Sequence, residues 1–351
     1  MLKLFKITII NILIFFVFIL LIEVIFGYWF DKDNLGPYVR EHRLRKVNYE
    51  VTYEGTQYSF TYERNYYGFR GKDVPLDNIK GVIVGGSTTD ERYKPEEFTI
   101  TELINSYLKN KNINFKLYNA GIEGQSTRGH AVNIDYWFKK LPNFKPNFIF
   151  YYIGINDQWV TSDVPAIRDG KILSLDKKEV FFDNLKSRSV TYDLLRKAKH
   201  IFYSSDKRLL YDFDKGIEAW QNKKIDFLNY DEFMLKNNLN EIMIEYFELI
   251  SAYQERVKKL HDKTIEFGSI PVFINQLSAE GYNNKVLVSL NSSLMNLCKT
   301  NNYYCIDLSK QLKGESDYWW DGIHTTPKGS EAISKIIAPE IETILKNNNF
   351  K

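Results

Sequence analysis

Short apolar runs, each ending at a small or polar residue, constrain the fold of this chain most strongly. Five of them have the length and composition of strands: Gly81–Val84, Phe115–Tyr118, Asn147–Ile153, Ile270–Asn275 and Tyr303–Asp307. The almost unbroken run Asn147–Ile153 is typical of a parallel strand that is covered on both faces. Strands that alternate with helical patterns predict a parallel sheet between two layers of helices. Ligands of such sheets bind beyond the carboxyl ends of the strands.

Helical spacing recurs between and after these runs, in Phe98–Leu108, Glu241–Phe267 and Lys328–Lys346. Gly268 is suited to end the second helix, because glycine readily adopts the left-handed conformation of a helix C-cap. Pro339 is expected to interrupt the third helix, because proline lacks a backbone N–H. Residues from about 158 to 240 show no repeat, and we interpret them as an insertion with local helices. Its run Arg196–His200 is predicted to be a solvated helix face.

Four islands of small and polar residues carry the chemistry: Gly85–Thr88, Asn119–Gly124, Gly154–Asp157 and Asp321–His324. The first three follow predicted strands, and the fourth lies just before the C-terminal helix. In chain order they supply a hydroxyl nucleophile, two donors for an oxyanion, and a histidine with an acidic partner. Those groups are what an acyl-transfer site requires.

Each of these residues also has a purely structural interpretation when it is taken alone. Ser87 can serve as a helix cap, Gly124 as a turn glycine and Asn156 as part of an Asx turn. Asp157 is expected to brace its loop rather than to react. The island around Ser87 is neither a phosphate-binding loop nor the Gly-x-Ser-x-Gly elbow of α/β-hydrolases.

Taken together, the islands resemble the SGNH hydrolase superfamily, the GDSL-type esterases, over about residues 65–345 without the middle insertion. The chain departs from the usual Gly-Asp-Ser by carrying Gly86 where aspartate is common. The resemblance implies a flavodoxin-like three-layer α/β/α fold with a five-stranded parallel sheet. Such a domain would span residues 79–351, with its mainly helical insertion at about 158–240.

The resemblance also implies a role for each matching residue. Ser87 would attack an acyl carbonyl, His324 would take its proton, and Asp321 would hold His324. The N–H groups of Ser87 and Gly124 and the side-chain amide of Asn156 would stabilise the oxyanion. No cofactor is expected. The chain has five histidines but no His-x-x-x-His or Cys-x-x-Cys spacing, so we expect no metal site either.

The N-terminus is predicted to cross a membrane. Its apolar run extends from Ile7 to Phe30, broken by Glu23, and about 20 residues suffice to span a bilayer. Lys3 and Lys6 place the short N-terminus in the cytoplasm by the positive-inside rule. A cleaved secretion signal is the alternative, but no small-residue cleavage site precedes Asp31. We therefore expect a signal-anchor in residues 1–30, a juxtamembrane segment in residues 31–78, and a domain that is periplasmic or extracellular.

The chain contains two cysteines, Cys298 and Cys305. A local disulfide between them is plausible in an exported protein. Two buried thiols are the alternative, because the sequence does not supply the Cα separation that decides between them.

The sequence constrains the substrate less than it constrains the chemistry. The net charge of +3 gives no electrostatic reason to expect nucleic acid as a partner. An outward-facing, anchored acyl-transfer site favours an esterase or O-acetyltransferase that acts on acetyl or other acyl groups of an exported carbohydrate, within an envelope polysaccharide machinery. The alternatives are a lipid or thioester hydrolase, and a non-catalytic envelope assembly or binding protein. Aromatic residues of the insertion are suited to stacking on sugar rings or to a core.

Overall fold

The computed structural model describes residues 2–30, 46–160, 181–182, 185–186, 188–203, 209–224 and 227–350. Parts of the juxtamembrane segment and of the insertion therefore lie outside the described residues. The chain forms two compact units. The first joins Met1–Glu41 to Ser174–Lys207, and the second joins His42–Leu173 to Arg208–Lys351.

Strands and helices alternate through the second unit. The described strands are β1 (Lys46–Tyr53), β2 (Thr56–Glu63), β3 (Gly81–Gly85), β4 (Leu117–Asn119), β5 (Phe148–Tyr152), β6 (Leu209–Asp212), β7 (Ile270–Ile274) and β8 (Tyr304–Ile306). The α-helices with described bounds are α1 (Leu2–Phe26), α2 (Ser87–Asp90), α3 (Ile100–Asn110), α4 (Thr127–Tyr136), α5 (Val190–Tyr203), α6 (Phe213–Gln221), α7 (Tyr230–Lys236), α8 (Leu239–Glu245), α9 (Phe247–Phe267), α10 (Lys285–Asn301), α11 (Leu308–Gln311) and α12 (Pro327–Asn347).

A five-stranded parallel sheet in the order β4-β3-β5-β7-β8 forms the centre of this unit. Successive side chains of its strands point to opposite faces. Ile83 and Phe150 belong to the apolar core that includes residues of α3 and α12. On the other face, Tyr151 bonds to Thr264 of α9 and stacks on His130 of α4. The expected α/β fold with a five-stranded parallel sheet is thus confirmed.

The structure shifts the strand ends by one or two residues and corrects two helix predictions. The predicted helix Glu241–Phe267 is divided at Tyr246, which separates α8 from α9. Pro339 does not interrupt α12, which continues through it to Asn347. Gly268 ends α9 with a φ of 93°, as expected for a glycine C-cap.

A second, smaller sheet lies in the same unit as the central sheet. β1 and β2 form an antiparallel hairpin, and β6 pairs in parallel with the other edge of β1. Their packed side chains are largely aromatic and include Tyr49, Tyr53, Tyr62 and Phe213. Residues 46–63, which the sequence placed in the juxtamembrane segment, thus pair with residues 209–212 from the insertion.

Two further features concern the N-terminal helix and the pair of cysteines. The helix α1 contains Phe5–Phe26, a stretch with mean hydropathy 3.1 that is long and apolar enough to cross a membrane. A signal sequence has the same properties. In the second unit, Cys298 and Cys305 form a disulfide, with their Cα atoms 6.3 Å apart.

The buried histidine of α4 makes stability depend on pH. Burial lowers the pKa of His130 to about 3, whereas an unfolded histidine titrates near 6.5. Because the unfolded state then binds the proton more tightly, the free energy of unfolding should fall as the pH drops below 6.5. The loss between pH 8 and pH 5 should be about 2 kcal/mol.

Chemical denaturation in detergent at several pH values measures this loss. His130→Phe should remove this contribution to the pH dependence. The control His261→Phe, which replaces a half-buried histidine of α9, should retain it. An unchanged pH dependence in His130→Phe would contradict this account of His130.

Candidate active site

Ser87 begins α2, with Gly86 alone between it and the end of β3, a strand of the central sheet. The chain turns at Gly86, whose carbonyl accepts hydrogen bonds from the N–H groups of Thr89 and Asp90 at 3.1 and 3.0 Å. The strand end thus presents a serine at the carboxyl edge of the sheet, where parallel α/β folds bind their ligands. Its side chain is half-buried.

His324 and Asp321 reach this serine from the loop before α12. His324 Nε2 lies 2.8 Å from Ser87 Oγ, and His324 Nδ1 lies 2.7 Å from Asp321 Oδ2. The other oxygen of Asp321 accepts hydrogen bonds from the backbone N–H groups of Ile323 and His324. The carboxylate therefore fixes both the imidazole ring and the loop that carries it.

The charge of Asp321 is favoured by these contacts. Burial alone would raise its pKa, but the hydrogen bonds from His324 and the two backbone N–H groups hold the pKa below its ordinary value. An ionised Asp321 accepts only, so His324 carries its proton on Nδ1. His324 Nε2 is then the acceptor that faces the Ser87 hydroxyl.

Two of the three predicted oxyanion donors, Gly124 and Asn156, lie on neighbouring loops. Gly124 has a φ of 74°, a conformation that favours glycine. The turn that contains it is held to β3 by a hydrogen bond from Ile122 N–H to the Gly85 carbonyl. Asn156 follows β5, and its side-chain amide donates to the carbonyl of Gln125 at 2.7 Å. Because the amide has two N–H bonds, this contact orients it while leaving a second donor.

A small cavity opens beside Ser87 and His324. It is lined by Ser87, Thr88, Glu91, Tyr93, Lys94, Trp320, His324 and Thr325. The Trp320 ring stacks on the His324 ring with centroids 5.7 Å apart. Tyr211 of β6 contacts Tyr93 at 4.4 Å, so one aromatic residue of the insertion reaches the cavity wall. Others, such as Phe213 and Phe233, are buried in the core.

The sequence also matches the model of a known protein family. The sequence model of the GDSL-like lipase/acylhydrolase family matches residues 83–332, which is more than half of the 351 residues and contains Ser87, Asn156 and His324.

This chain belongs to the GDSL-like lipase/acylhydrolase family.

Several solved structures are similar to this GDSL-like acylhydrolase. One is LAE5, an alpha/beta hydrolase enzyme from the metagenome of Lake Arreo, Spain, with 14% identity, coverage of 75% of this chain and 95% of that chain, and a TM-score of 0.42. A catalytic mutant of Axe2, an acetylxylan esterase from Geobacillus stearothermophilus, has 14% identity, coverage of 75% and 94%, and a TM-score of 0.41. The psychrotrophic esterase EstA from Pseudoalteromonas sp. has 11% identity, coverage of 76% and 99%, and a TM-score of 0.42. The curated proteins contain no match to the sequence.

A buried ion pair in this GDSL-like acylhydrolase was not anticipated from the sequence. Glu91 directly follows α2 and binds Lys94 at 2.5 Å, with both side chains almost fully buried. Lys94 also donates to Thr325, the residue after His324, at 2.9 Å, and to Ser330. The pair therefore connects the segment of Ser87 to the loop of His324. In the sequence these residues resemble an ordinary charged surface segment. Only their place just after Ser87 indicated a role near the site.

Gln276 is a second residue that the sequence analysis missed. It follows β7 and is buried. Its amide donates to Thr88 Oγ1 at 2.8 Å, and its carbonyl oxygen accepts from Ile155 N–H at 2.9 Å. It thus links the segments of Ser87 and Asn156. Its position just beyond a predicted strand was the one signal available.

Asp157 has the bracing role that was expected of it. Its carboxylate accepts hydrogen bonds from the backbone N–H and the hydroxyl of Thr127 at the start of α4. Arg256 of α9 lies 3.5 Å away. Burial raises the pKa of Asp157, although Arg256 and Thr127 oppose this effect.

The departure from Gly-Asp-Ser has a structural explanation. A Cβ atom built on Gly86 would overlap with Nδ2 of Asn156, the atom that donates to Gln125. The absence of a side chain at residue 86 therefore leaves room for the amide beside Ser87. The obstructed atom ends a movable side chain, so a larger residue would displace the amide without unfolding the domain.

Gly86→Ala should therefore lower kcat/KM for ester hydrolysis by about 10- to 100-fold, the cost of a small displacement in a catalytic site. Steady-state kinetics with p-nitrophenyl acetate measures this effect. The double variant Gly86→Ala with Asn156→Ala should be no slower than Asn156→Ala alone, because the alanine then has no amide to displace. Additive losses would show that Gly86 acts by another route.

Proposed function

We propose that this protein is a serine-dependent esterase or O-acyltransferase in which Ser87 is the nucleophile. The observation that carries the proposal is the hydrogen-bonded series from Ser87 Oγ through His324 to Asp321, with distances of 2.8 and 2.7 Å. Ser87 Oγ attacks the acyl carbonyl while its proton passes to His324 Nε2. Asp321 stabilises the imidazolium that forms.

The oxyanion of the tetrahedral intermediate needs donors at the carboxyl edge of the sheet. We assign this role to the N–H groups of Ser87 and Gly124 and to the side-chain amide of Asn156. His324 then returns the proton to the departing alcohol. Water, or a hydroxyl group of an acceptor, attacks the acyl-enzyme in the second half of the reaction.

The cavity beside Ser87 supports a short acyl group. Its lining is polar and aromatic, with no aliphatic side chain among the described residues. Such a lining suits an acetyl group better than a long lipid chain, which would need an apolar groove. The half-exposed rings of Tyr93 and Trp320 at its wall are suited to contact with a sugar ring.

We further propose that α1 anchors the protein, with its N-terminus in the cytoplasm and the acylhydrolase domain outside. The apolar length of α1 and the early lysines, Lys3 and Lys6, support this orientation. An outward-facing domain with a small acyl site meets envelope carbohydrate, so its substrate class is an O-acetylated exported polysaccharide.

Acetate release from O-acetylated glycans tests this substrate class. The full-length protein in detergent should release acetate from an acetylated oligosaccharide faster than it releases butyrate or longer acids from matched esters. With a non-acetylated oligosaccharide as acceptor, transfer of acetyl to that acceptor would identify an O-acetyltransferase. A preference for long-chain acyl esters would instead favour the lipid or thioester hydrolase.

The anchor is tested separately in cells that express the full chain. Carbonate washing should leave the protein in the membrane fraction, and protease added to spheroplasts should digest the acylhydrolase domain. Release of the intact chain by carbonate, or protection of the domain from protease, would contradict the proposed orientation.

A further inference from the structure

Glu23 lies near the end of the apolar helix α1, and both oxygens of its carboxylate accept hydrogen bonds. It accepts hydrogen bonds from Ser189 Oγ at 2.6 Å and from the backbone N–H groups of Val190 and Thr191 at 3.2 and 2.9 Å. Trp29 Nε1 also donates to it, at 2.8 Å. Glu23 therefore caps the first turn of α5, whose backbone N–H groups have no partner within that helix.

Two further contacts join the segment after α1 to the residue Arg188, which precedes α5. Tyr28 N–H donates to the Arg188 carbonyl at 2.9 Å, and the Arg188 guanidinium contacts the Trp29 carbonyl at 3.4 Å. A charged residue in a membrane helix is costly unless it lies near the interface with paired groups. If α1 spans the membrane, the start of α5 therefore lies at the outer interface, level with Glu23.

The helix α5 is amphipathic. Helical periodicity places six apolar residues of its sequence on one side of the helix, together with one polar residue, Thr191. The apolar residues are Val190, Leu194, Leu195, Ala198, Ile201 and Phe202. Leu194 and Leu195 are 53% and 65% exposed, so within the described residues protein atoms cover them only in part. The rest of the circumference is polar and has a net positive charge: it contains Asp193, Arg196 and Lys199, with Lys197 at the edge of the apolar sector. A basic polar face opposite an apolar face is the pattern of a helix that lies in a membrane interface.

We propose that α5 is an interfacial helix, which lies along the outer surface of the bilayer with Leu194 and Leu195 immersed among the lipid chains. The occupant of its apolar face is the bilayer itself, because the cap by Glu23 begins α5 at the end of the membrane-spanning helix. This proposal rests on the anchoring of α1, and it gives the middle insertion a function: a second attachment of the chain to the membrane. The net positive charge of the α5 sequence favours binding to anionic lipids.

Site-directed spin labelling of the full-length protein in nanodiscs of mixed zwitterionic and anionic lipid tests this proposal. Single cysteines are introduced as Leu194→Cys, Arg196→Cys and Leu13→Cys, with the native disulfide left intact. The accessibility of each nitroxide to molecular oxygen and to a water-soluble nickel chelate gives its depth. The Leu194 label is expected about 5–10 Å below the headgroup boundary, and the Arg196 label in the headgroup or water layer.

The Leu13 label distinguishes failure of the proposed anchor, α1, from failure of the proposed interfacial helix, α5. If it lies in the hydrocarbon while the Leu194 and Arg196 labels are equally accessible to nickel, the anchor holds and the interfacial helix is refuted. A Leu194 label shielded from both oxygen and nickel would show that this face is covered by protein, which also refutes it. Nickel access to the Leu13 label would refute the anchor and, with it, the placement of α5.

Discussion

Replacing Ser87 with alanine is expected to lower kcat/KM for acetyl-ester hydrolysis by about 10³-fold or more, because the chain then lacks the oxygen that forms the acyl-enzyme. The exchange removes one half-buried hydroxyl at the start of α2, and the hydrogen bonds from Thr89 and Asp90 to Gly86 involve the backbone alone. The fold should therefore persist. Initial rates with p-nitrophenyl acetate, together with circular dichroism, measure both expectations.

Thr89→Val provides a matched control for this substitution. Thr89 lies in the same short helix, and its buried hydroxyl has no hydrogen-bond partner among the described residues. Its isosteric replacement should leave turnover within a small factor of that of the wild type. Near-wild-type activity in Ser87→Ala would show that another group performs the attack.

Replacing Asp321 with asparagine is expected to reduce kcat by about 10³- to 10⁴-fold with little loss of stability. The remaining amide oxygen can still accept from the N–H groups of Ile323 and His324, so the loop keeps its shape. The new NH₂ group, however, would face His324 Nδ1 with a donor where the carboxylate offered an acceptor. The imidazole would then change tautomer and present N–H to Ser87, which removes the base.

Asp317→Asn is the control for this second prediction. Asp317 pairs with Lys328 at 2.8 Å, and both side chains are more than a third exposed. Loss of a surface ion pair has a small effect, so this variant should retain full activity. His324→Ala should cost at least as much as Asp321→Asn. Full activity in Asp321→Asn would contradict the orienting role of Asp321. Either another carboxylate would then orient His324, or Ser87 and His324 would act without one.

The central sheet was predictable because its strands are buried on both faces. All five residues of β3 and of β5 are buried, and this burial produces unbroken apolar runs that the sequence displays directly. The chemistry was predictable for a related reason. Residues at the carboxyl ends of adjacent parallel strands meet at one edge, so Ser87 and Asn156 come together although 69 positions separate them in the sequence.

The small sheet was not predictable in the same way. β1 and β2 have a mixed pattern of buried and exposed residues, and the pairing of β1 with β6 joins segments about 160 residues apart. Local patterning does not report such long-range pairing. The buried Glu91–Lys94 pair was hidden for another reason. Charged residues are buried only when they are paired, and the partners of this pair, Thr325 and Ser330, are supplied by the distant loop of His324 and by α12.

Reaction with a fluorophosphonate tests the central claim, that Ser87 is an activated nucleophile, most directly. The full-length protein in detergent is treated with the probe, and peptide mass spectrometry then locates the adduct. The oxygen of the activated serine would bond to phosphorus with loss of fluoride. The account predicts one adduct, on Ser87, with labelling that is strongly reduced in His324→Ala and unchanged in Asp317→Asn. An adduct on another residue, or ester hydrolysis by a protein that the probe leaves unlabelled at Ser87, would contradict it.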